Sequence, residues 1–380
     1  MFWLACASPP EATDPLTYDA LYASMEAVTG VGPRLVGTPG EARAAAWIAR
    51  ELESMGLEVD RHAFTWEAWT PGEATLSVDG DSWEAWALSP APGGEVSGRF
   101  LSEDFAGEIA LLSSEDGARA ESFFTALTGG AEALVRVTED VDADGTALAE
   151  VGHILDGISM PSVAVSSEVG AALEGREGTL SVTAGLGTMT SYNLAATLPG
   201  SGDDDVMLVA HYDSWHPSES AFDNALGVAF LLQLARKLRQ TGSEATVHLL
   251  FTTGEEQGLK GAQAWVDERG ADLDRLLNVD IPWSSDGTFF VAADDEATRA
   301  RAMELADEHG LDPADAGLPN ASSDHFVFQT QGVDTSWHTR WPDRRYHTVN
   351  DTLALLDMEG AVDSLLFHWD VLSELAGVLR

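Results

Sequence analysis

The first strong pattern of apolar positions along the chain follows Thr38 and is typical of a helix. Apolar side chains recur at helical spacing over residues 47–55. We expect Thr38 to be the N-cap, Glu41 to complete a capping box and Gly56 to end the helix. β-branched and aromatic residues then follow over residues 57–66, and they predict a strand.

Residues 69–190 differ in composition: they are rich in glycine and acidic residues and contain only short apolar runs. Three of these runs predict strands, at residues 108–112, 133–137 and 162–165, and residues 123–127 predict a helix. We therefore expect an inserted domain here, small and β-rich with some helix. Nothing in its sequence supplies catalytic chemistry.

Strands and helices alternate from residue 191 to the end of the chain. Buried strands are predicted over residues 206–210, 246–252 and 276–279, and a helix that is apolar nearly all round over residues 222–238. This alternation indicates an α/β sheet with helices on both faces. The predicted organisation has four parts: a leader and linker (1–15), the first part of the main domain (16–68), the insertion (69–190) and the main part (191–380).

The charge of the chain limits the classes of partner that it can bind. Its 380 residues include 20 Lys+Arg against 63 Asp+Glu, which gives a formal net charge of −43. Nucleic acid is excluded as a partner on this basis, because its phosphates need clustered cations. Lysine occurs only at Lys237 and Lys260. So many carboxylates with so few lysines indicate a salt-adapted surface, although a high-GC genome would also favour arginine over lysine.

The start of the chain suggests a location. Cys6 is the single cysteine, so no intrachain disulfide forms, and no apolar run approaches the ~20 residues of a membrane span. Residues 1–10 resemble the end of a bacterial lipoprotein signal with Cys6 as the acylated residue; an uncleaved start is the alternative. We expect a periplasmic, secreted or lipid-anchored protein, or else a cytoplasmic protein of a salt-adapted organism.

Polar residues follow three of the predicted strands at their carboxyl ends. They are His211, the pair Glu255 and Glu256, and Asp280. Because open α/β sheets bind ligands at this edge, we expect these side chains to converge. Asp223, at the start of the predicted buried helix, is either a further site residue or an N-cap.

Imidazole and carboxylate ligands suit divalent metals, and the chain offers a set of five: His211, Asp223, Glu256, Asp280 and His347. A single zinc ion needs only three of them. All five, with one bridging carboxylate, suit two ions about 3.5–4 Å apart. Glu255 is then left to act as the general base.

Six motifs, in order, resemble one enzyme family. They are His211-Tyr212-Asp213-Ser214, residues 221–229 around Asp223-Asn224, residues 254–261 around Glu255-Glu256, Asn278-Val279-Asp280, Ser323-Asp324-His325 and residues 346–352 around His347. Together they resemble the co-catalytic di-zinc exopeptidases, which include bacterial leucyl-type aminopeptidases, glutamate carboxypeptidases and glutaminyl cyclases. The likeness runs from about Tyr18 onward, interrupted by the insertion, which resembles a protease-associated domain. It implies a three-layer α/β/α sandwich with a mixed, mostly parallel sheet, the phosphorylase/hydrolase-like fold of zinc exopeptidases.

The resemblance also implies roles for the metal ligands. Asp223 would bridge both ions. His211 and Asp280 would complete the coordination of one ion, and Glu256 and His347 that of the other. Zinc is the default metal for this set, although cobalt or manganese would fit the same ligands.

Further residues receive roles from the same resemblance. Glu255 would be the general base, and Asp213 the carboxylate that orients a ligand imidazole. Tyr346 would stabilise the oxyanion, with simple packing as its alternative. Three arginines precede His347 and either bind a substrate carboxylate or, as we prefer, pair with surface acids: Arg340, Arg344 and Arg345.

The predicted function is that of a zinc-dependent metallopeptidase that removes terminal residues from peptides through a water activated by two metal ions. An aminopeptidase is the preferred form. The alternatives are a carboxypeptidase, a glutaminyl cyclase-like acyltransferase and, last, a non-catalytic receptor, which the retention of all ligands and of Glu255 disfavours. Side-chain preference and oligomeric state do not follow from the sequence.

An acidic segment in the insertion resembles half of a calcium-binding loop. Residues 140–145 match its beginning, but Val151 stands where the twelfth-position ligand belongs and Glu150 falls one residue short. We therefore interpret the segment as an acidic loop.

Overall fold

The structure is a computed structural model that describes residues 13–88, 90–113, 119–138, 160–214 and 218–378. Two of the sequence predictions, the acylated Cys6 and the calcium-type segment 140–151, lie outside these residues. Among the described residues, no helix has both the length and the apolar character required to cross a lipid bilayer.

The described chain begins with two helices and five consecutive strands, and helices and strands are interspersed after that. The helices are α1 (Tyr18–Thr29), α2 (Pro39–Ser54), α3 (Arg119–Thr128), α4 (Ser167–Leu173), α5 (Leu226–Thr241), α6 (Lys260–Arg269), α7 (Glu296–Glu308), α8 (His325–Gln329) and α9 (Met358–Ala376). The strands are β1 (Asp60–Thr70), β2 (Ala74–Val78), β3 (Asp81–Ala87), β4 (Gly94–Leu101), β5 (Ile109–Ser113), β6 (Ala133–Thr138), β7 (Ser162–Ser166), β8 (Glu177–Val182), β9 (Gly185–Leu198), β10 (Asp205–His211), β11 (Thr246–Thr252), β12 (Arg275–Asn278), β13 (Thr288–Ala293), β14 (Pro313–Gly317) and β15 (Asp334–Trp341).

The main sheet is mixed and has eight strands in the order β1-β9-β11-β10-β12-β15-β13-β14. Its centre is parallel, because β10 pairs in parallel with both β11 and β12, and β12 pairs in parallel with β15. The strand β9 pairs antiparallel with β1 and β11, and β13 pairs antiparallel with β15. The chain therefore has the α/β fold with a mixed sheet that the sequence predicts.

Alternate residues of the central strand β10 enter two separate apolar clusters. Val206 and Leu208 pack with the fully buried side of α5 and with α9. Met207 and Val209 pack with residues of α6 and α8. Because successive strand residues point to opposite faces, helices cover both faces of the sheet at its centre.

Seven strands of the inserted region close into a barrel in the order β2-β3-β7-β6-β5-β4-β8. The sequence predicted only β5, β6 and β7 among them. The barrel has its own apolar core and is connected to the main sheet by β1 and β9, which pair along their full length from Asp60↔Ala195 to Thr70↔Gly185. The amide of Gln257 bonds to both backbone groups of Trp69 at this junction, and the Trp69 indole donates to the carbonyl of Ala91.

The helix predicted after Thr38 is confirmed, with one correction to its capping. The hydroxyl of Thr38 accepts from the N–H of Glu41, as predicted. The Glu41 carboxylate, however, accepts from the N–H of Gly37 and from the hydroxyl of Thr253 instead of closing a box on Thr38. The strand predicted over 57–66 begins later, at Asp60, and extends to Thr70.

Candidate active site

Four neighbouring strands deliver the predicted site residues to one edge of the main sheet. His211 ends β10, and the Glu255-Glu256 pair follows β11. Asp280 follows β12, and His347 lies beyond the end of β15. Since these strands are adjacent and parallel, their carboxyl ends meet, and the predicted convergence is what the fold produces.

Asp223 lies at the centre of the cluster and presents its two oxygens to two different groups. Its Oδ1 is 3.2 Å from Nε2 of His211, and that nitrogen is also 3.3 Å from Oδ1 of Asp280. On the other side, Oδ2 of Asp223 is 3.2 Å from Nε2 of His347, which lies 3.1 Å from Oε2 of Glu256. The cluster is therefore divided into two halves that share one carboxylate.

The donor set fits divalent metal ions. Ligand atoms of His211, Asp223 and Glu256 all lie within 4.8 Å of one another. All three side chains are buried, and Oε1 of Glu256 has no hydrogen-bond partner among the described residues. Buried carboxylates that face one another need a compensating cation, and imidazole with carboxylate is the ligand chemistry of zinc.

The electrostatics of the cluster reflect this crowding of negative charge. Burial raises the pKa of Glu256 well above its usual range, and the charge of Asp223 adds to the effect. Burial alone would lower the pKa of His211, but the carboxylates of Asp280 and Glu255 raise it well above 6.5. Burial also acts to raise the pKa of Asp223, but hydrogen bonds from the two imidazoles hold it below its usual value.

Glu255 lies beside the cluster and makes none of its imidazole contacts. Its side chain is partly exposed, unlike that of Glu256. Burial of its carboxyl group and the nearby acidic charges raise its pKa well above the usual range, although the charge of His211 acts in the opposite direction. A carboxyl group with a raised pKa at the mouth of a polar site is suited to exchange protons with a substrate.

Asp213 supports both the imidazole and the Glu255-Glu256 turn. Its Oδ1 lies 3.5 Å from Nδ1 of His211 and accepts from the N–H of Glu255 at 3.4 Å. Its Oδ2 accepts from the N–H of Glu256 at 3.3 Å. The side chain is fully buried, so Asp213 is not a solvated loop acid.

The backbone around Asp223 departs from the predicted helix. Residues Asp223 (φ −121°, ψ 87°) and Asn224 (φ −135°, ψ 42°) are not helical, and α5 begins only at Leu226. Asn224 accepts from the N–H of Gly227 and donates to the carbonyl of Val279. Asn224 thus caps the helix, and the alternative role of Asp223 as an N-cap is wrong.

Ser323 connects Asp280 to Asn278, the last residue of β12. Its hydroxyl donates to Oδ2 of Asp280 at 2.6 Å and accepts from the side-chain amide of Asn278 at 2.8 Å. Asn278 also bonds to Nδ1 of His325, which is buried and lies outside the cluster. The Ser-Asp-His motif therefore contributes orientation of Asp280, a role that the motif alone did not indicate.

Arg34 is a buried residue of the site that the sequence did not reveal. Its guanidinium is fully buried and donates to the carbonyls of Tyr212, Glu219 and Ser220. Burial lowers its pKa to about 10, against the effect of the surrounding carboxylates. No periodicity marks Arg34, which lies in the connection between α1 and α2, so only the tertiary structure identifies it.

The rim of the site contains Tyr346 and the arginines that precede His347. The Tyr346 ring stacks on His347 with 3.6 Å between centroids and meets Trp341 edge-on. Arg345 pairs with Asp343 at 2.7 Å, and Arg344 lies 3.6 Å from Asp286. Arg340 lies over the ring of Trp283 and is paired with no acid in the described structure. The predicted pairing with acids therefore holds for Arg344 and Arg345.

Comparisons with known proteins address the same region. Residues 193–365 match the model of peptidase family M28. Aminopeptidase YwaD of Bacillus subtilis is 27% identical over 370 residues, which cover 87% of this chain and 78% of that protein. The probable lipoprotein aminopeptidase LpqL of Mycobacterium tuberculosis is 26% identical over 295 residues, which cover 70% of this chain and 58% of that protein.

Among solved structures, a zinc aminopeptidase from Bacillus subtilis superposes with a TM-score of 0.79 at 24% identity and covers 97% of both chains. This agreement shows that the two proteins share a fold. The matched segment 193–365 contains every predicted ligand and the predicted base. The family resemblance predicted from the motifs is thereby supported over residues 193–365, the part of the chain that matches the model of peptidase family M28.

Proposed function

We propose that this protein is a metal-dependent aminopeptidase. The observation that carries the proposal is the division of the cluster around Asp223, whose two oxygens face two separate pairs of imidazole and carboxylate. Two further observations support it: the match to a peptidase family and the names of the relatives, which are aminopeptidases.

The geometry supports a site for two metal ions, with zinc as the default. His211 and Asp280 would hold one ion, Glu256 and His347 the other, and Asp223 would bridge them. When bound, such ions polarise the substrate carbonyl and lower the pKa of a water molecule. The protein itself holds the five ligands in a buried cluster. The carboxylates of this cluster repel one another, so cations are needed to balance their negative charge.

Glu255 would act as the general base. Its raised pKa and its partial exposure allow it to accept a proton from the attacking water and to return it to the leaving amine. Asp213 would fix the position of the His211 ring relative to the Glu255 backbone, because it contacts both. Tyr346, stacked on His347 at the rim, is the proposed donor to the oxyanion.

The remaining architecture is assigned on the same basis. We interpret the main domain as a three-layer α/β/α sandwich and the barrel of β2–β8 as a non-catalytic insertion, since its described residues supply no member of the cluster. An extracytoplasmic location is proposed from the relative LpqL, which is named a lipoprotein. Carboxypeptidase activity is the less favoured alternative, because Arg344 and Arg345 pair with acids and only Arg340 of the three arginines has no acidic partner among the described residues.

The test is mass spectrometry of matched peptides, one with a free and one with an acetylated N-terminus, incubated with zinc-loaded protein. We expect residues to leave only the free N-terminus. Glu255→Gln should bind zinc with parent affinity and lose at least about 100-fold in rate, the usual scale for a missing acid–base group. Loss of C-terminal residues, formation of pyroglutamate or an unaffected variant would each contradict the proposal.

A further inference from the structure

Between the ligands His211 and Asp223, the described residues 212–214 and 218–220 belong to no helix or strand. Three of their carbonyls accept from Arg34, whose Nε, Nη1 and Nη2 donate to residues 212, 219 and 220 at 2.8, 2.6 and 3.0 Å. The backbone N–H of Arg34 also donates to the hydroxyl of Ser214 at 2.7 Å. One arginine therefore holds both ends of this segment.

The amides that follow are gathered by a carboxylate. Oδ1 of Asp351 accepts from the N–H groups of Ala221 and Phe222 at 2.8 and 2.9 Å. Its Oδ2 accepts from the N–H of Asp223 itself at 3.2 Å. Asp351 is buried and lies four residues after His347, so the same side chain joins two ligand segments that are distant in sequence.

We propose that Arg34 and Asp351 form a backbone clamp on Tyr212 and residues 219–223, which positions Asp223 between the two metal ions and sets the affinity of the protein for metal. The inference rests on the metal centre of the proposed function. Both residues act on the backbone of the segment and are positioning residues. The clamp has one cationic and one anionic half, each matched to the backbone groups that it binds.

The local backbone shows why a clamp is needed. Ser220, whose carbonyl accepts from Arg34 and which directly precedes the amides that donate to Asp351, has a left-handed φ of 47°, and His347 has a φ of 56°. Such conformations are costly for residues with a side chain, so surrounding contacts must enforce them. Without the clamp, the segment would relax and Asp223 would lose its orientation between the two imidazoles.

Two variants test the clamp. Arg34→Lys keeps the positive charge but replaces a fork of donors with one ammonium group. Asp351→Asn keeps the size of the side chain. It replaces one of the two oxygens that accept from backbone N–H groups with an NH2 group, which can only donate. In both, we expect the affinity of the metal-free protein for zinc, measured by chelator competition, to fall about 10–100-fold, the usual effect of groups that orient ligands.

Matched controls separate positioning from stability. Arg236→Lys alters a half-buried arginine that bonds to Ser24 and Glu51. Asp294→Asn alters a half-buried aspartate that accepts from the backbone and hydroxyl of Thr335. Both lie outside the ligand segments, so we expect lower thermal stability with parent zinc affinity.

Hydrogen exchange of the metal-free parent tests the clamp without any substitution. We expect the amides of residues 221–223 to exchange slowly, because Asp351 holds them before metal binds. Rapid exchange there would overturn the inference, as would clamp variants that bind zinc like the parent or controls that weaken binding equally. A parent that binds no zinc would overturn the metal centre itself and the clamp with it.

Discussion

At the scale of single residues, Asp280 shows how a ligand is oriented by groups that do not belong to the cluster. One of its oxygens faces His211, and the other accepts from Ser323, whose hydroxyl is in turn bonded to Asn278. These successive hydrogen bonds fix the plane of the Asp280 carboxylate. A ligand that is held before metal arrives loses less conformational freedom on binding.

Replacement of Ser323 by alanine should therefore weaken zinc binding about tenfold, because Asp280 loses the donor that orients it. Chelator competition on the metal-free variant measures the change. Ser243→Ala is the control, since its buried hydroxyl donates to the carbonyl of Ala245 away from the site. Equal affinities of the two variants would contradict the prediction.

Two buried histidines outside the site predict sensitivity to acid. Burial lowers the pKa of His338 well below its usual value and that of His368 to about 4. In the unfolded chain both titrate near 6.5, so the unfolded state binds more protons between about pH 4 and pH 6.5. The contribution of the two histidines to the free energy of unfolding should therefore be fully present above pH 6.5 and decrease as the pH falls toward 4.

Urea denaturation at several pH values measures this slope. His338→Leu should reduce it, because the His338 ring nitrogens lack hydrogen-bond partners in the described structure and bind a proton only after unfolding. Phe367→Leu is the control, since Phe367 contacts both histidines edge-on but does not titrate. It should lower stability equally at every pH. A parent with no slope, or a slope that Phe367→Leu abolishes, would refute this account.

At the scale of elements, the start of α5 joins helix packing to the site. A Cβ placed on Gly227 would lie 2.2 Å from the carbonyl of Val279 and 2.3 Å from Oδ1 of Asn224. The absence of a side chain thus lets the helix approach the strand that precedes Asp280. This close approach requires glycine even though alanine favours helix formation in general.

Gly227→Ala should lower the free energy of unfolding by about 1–3 kcal/mol, the usual cost of overpacking, and should weaken zinc binding as Val279 shifts. Urea denaturation and chelator competition measure the two effects. Gly187→Ala on β9 is the control, because a Cβ there meets nothing within 4 Å. A Gly227→Ala protein as stable as the parent would show that the helix approach tolerates a methyl group.

At the scale of the whole molecule, a formal charge of −43 acts against compactness. Raising the salt concentration from about 0.1 M to 1 M shortens the screening length from about 10 Å to about 3 Å, so repulsion between surface carboxylates weakens. We expect the thermal midpoint to rise over this range in sodium chloride. A flat or falling midpoint in salt would contradict the interpretation of a salt-adapted surface.

Much of the fold was predictable where the pattern is local. The helix Pro39–Ser54 and the strand Thr246–Thr252 follow from cap residues and apolar runs. Four barrel strands were missed, because half-buried strands such as Gly94–Leu101 alternate weakly and carry glycine. The sequence pattern places the start of α5 too early, because no local signal marks the non-helical backbone at Asp223, whose N–H donates to the distant Asp351.

The amino-acid sequence is enough to predict the family resemblance through its motifs and the α/β fold through its pattern of apolar positions. It also predicts which residues cluster, because the carboxyl ends of parallel strands in one sheet share an edge. Only the folded molecule shows which oxygen of Asp223 faces which imidazole, how the barrel closes, and that Arg34 donates to the carbonyls of Tyr212, Glu219 and Ser220. The physical reason is that these contacts join residues far apart in the chain. Burial and hydrogen bonding select such contacts only when the whole chain has packed.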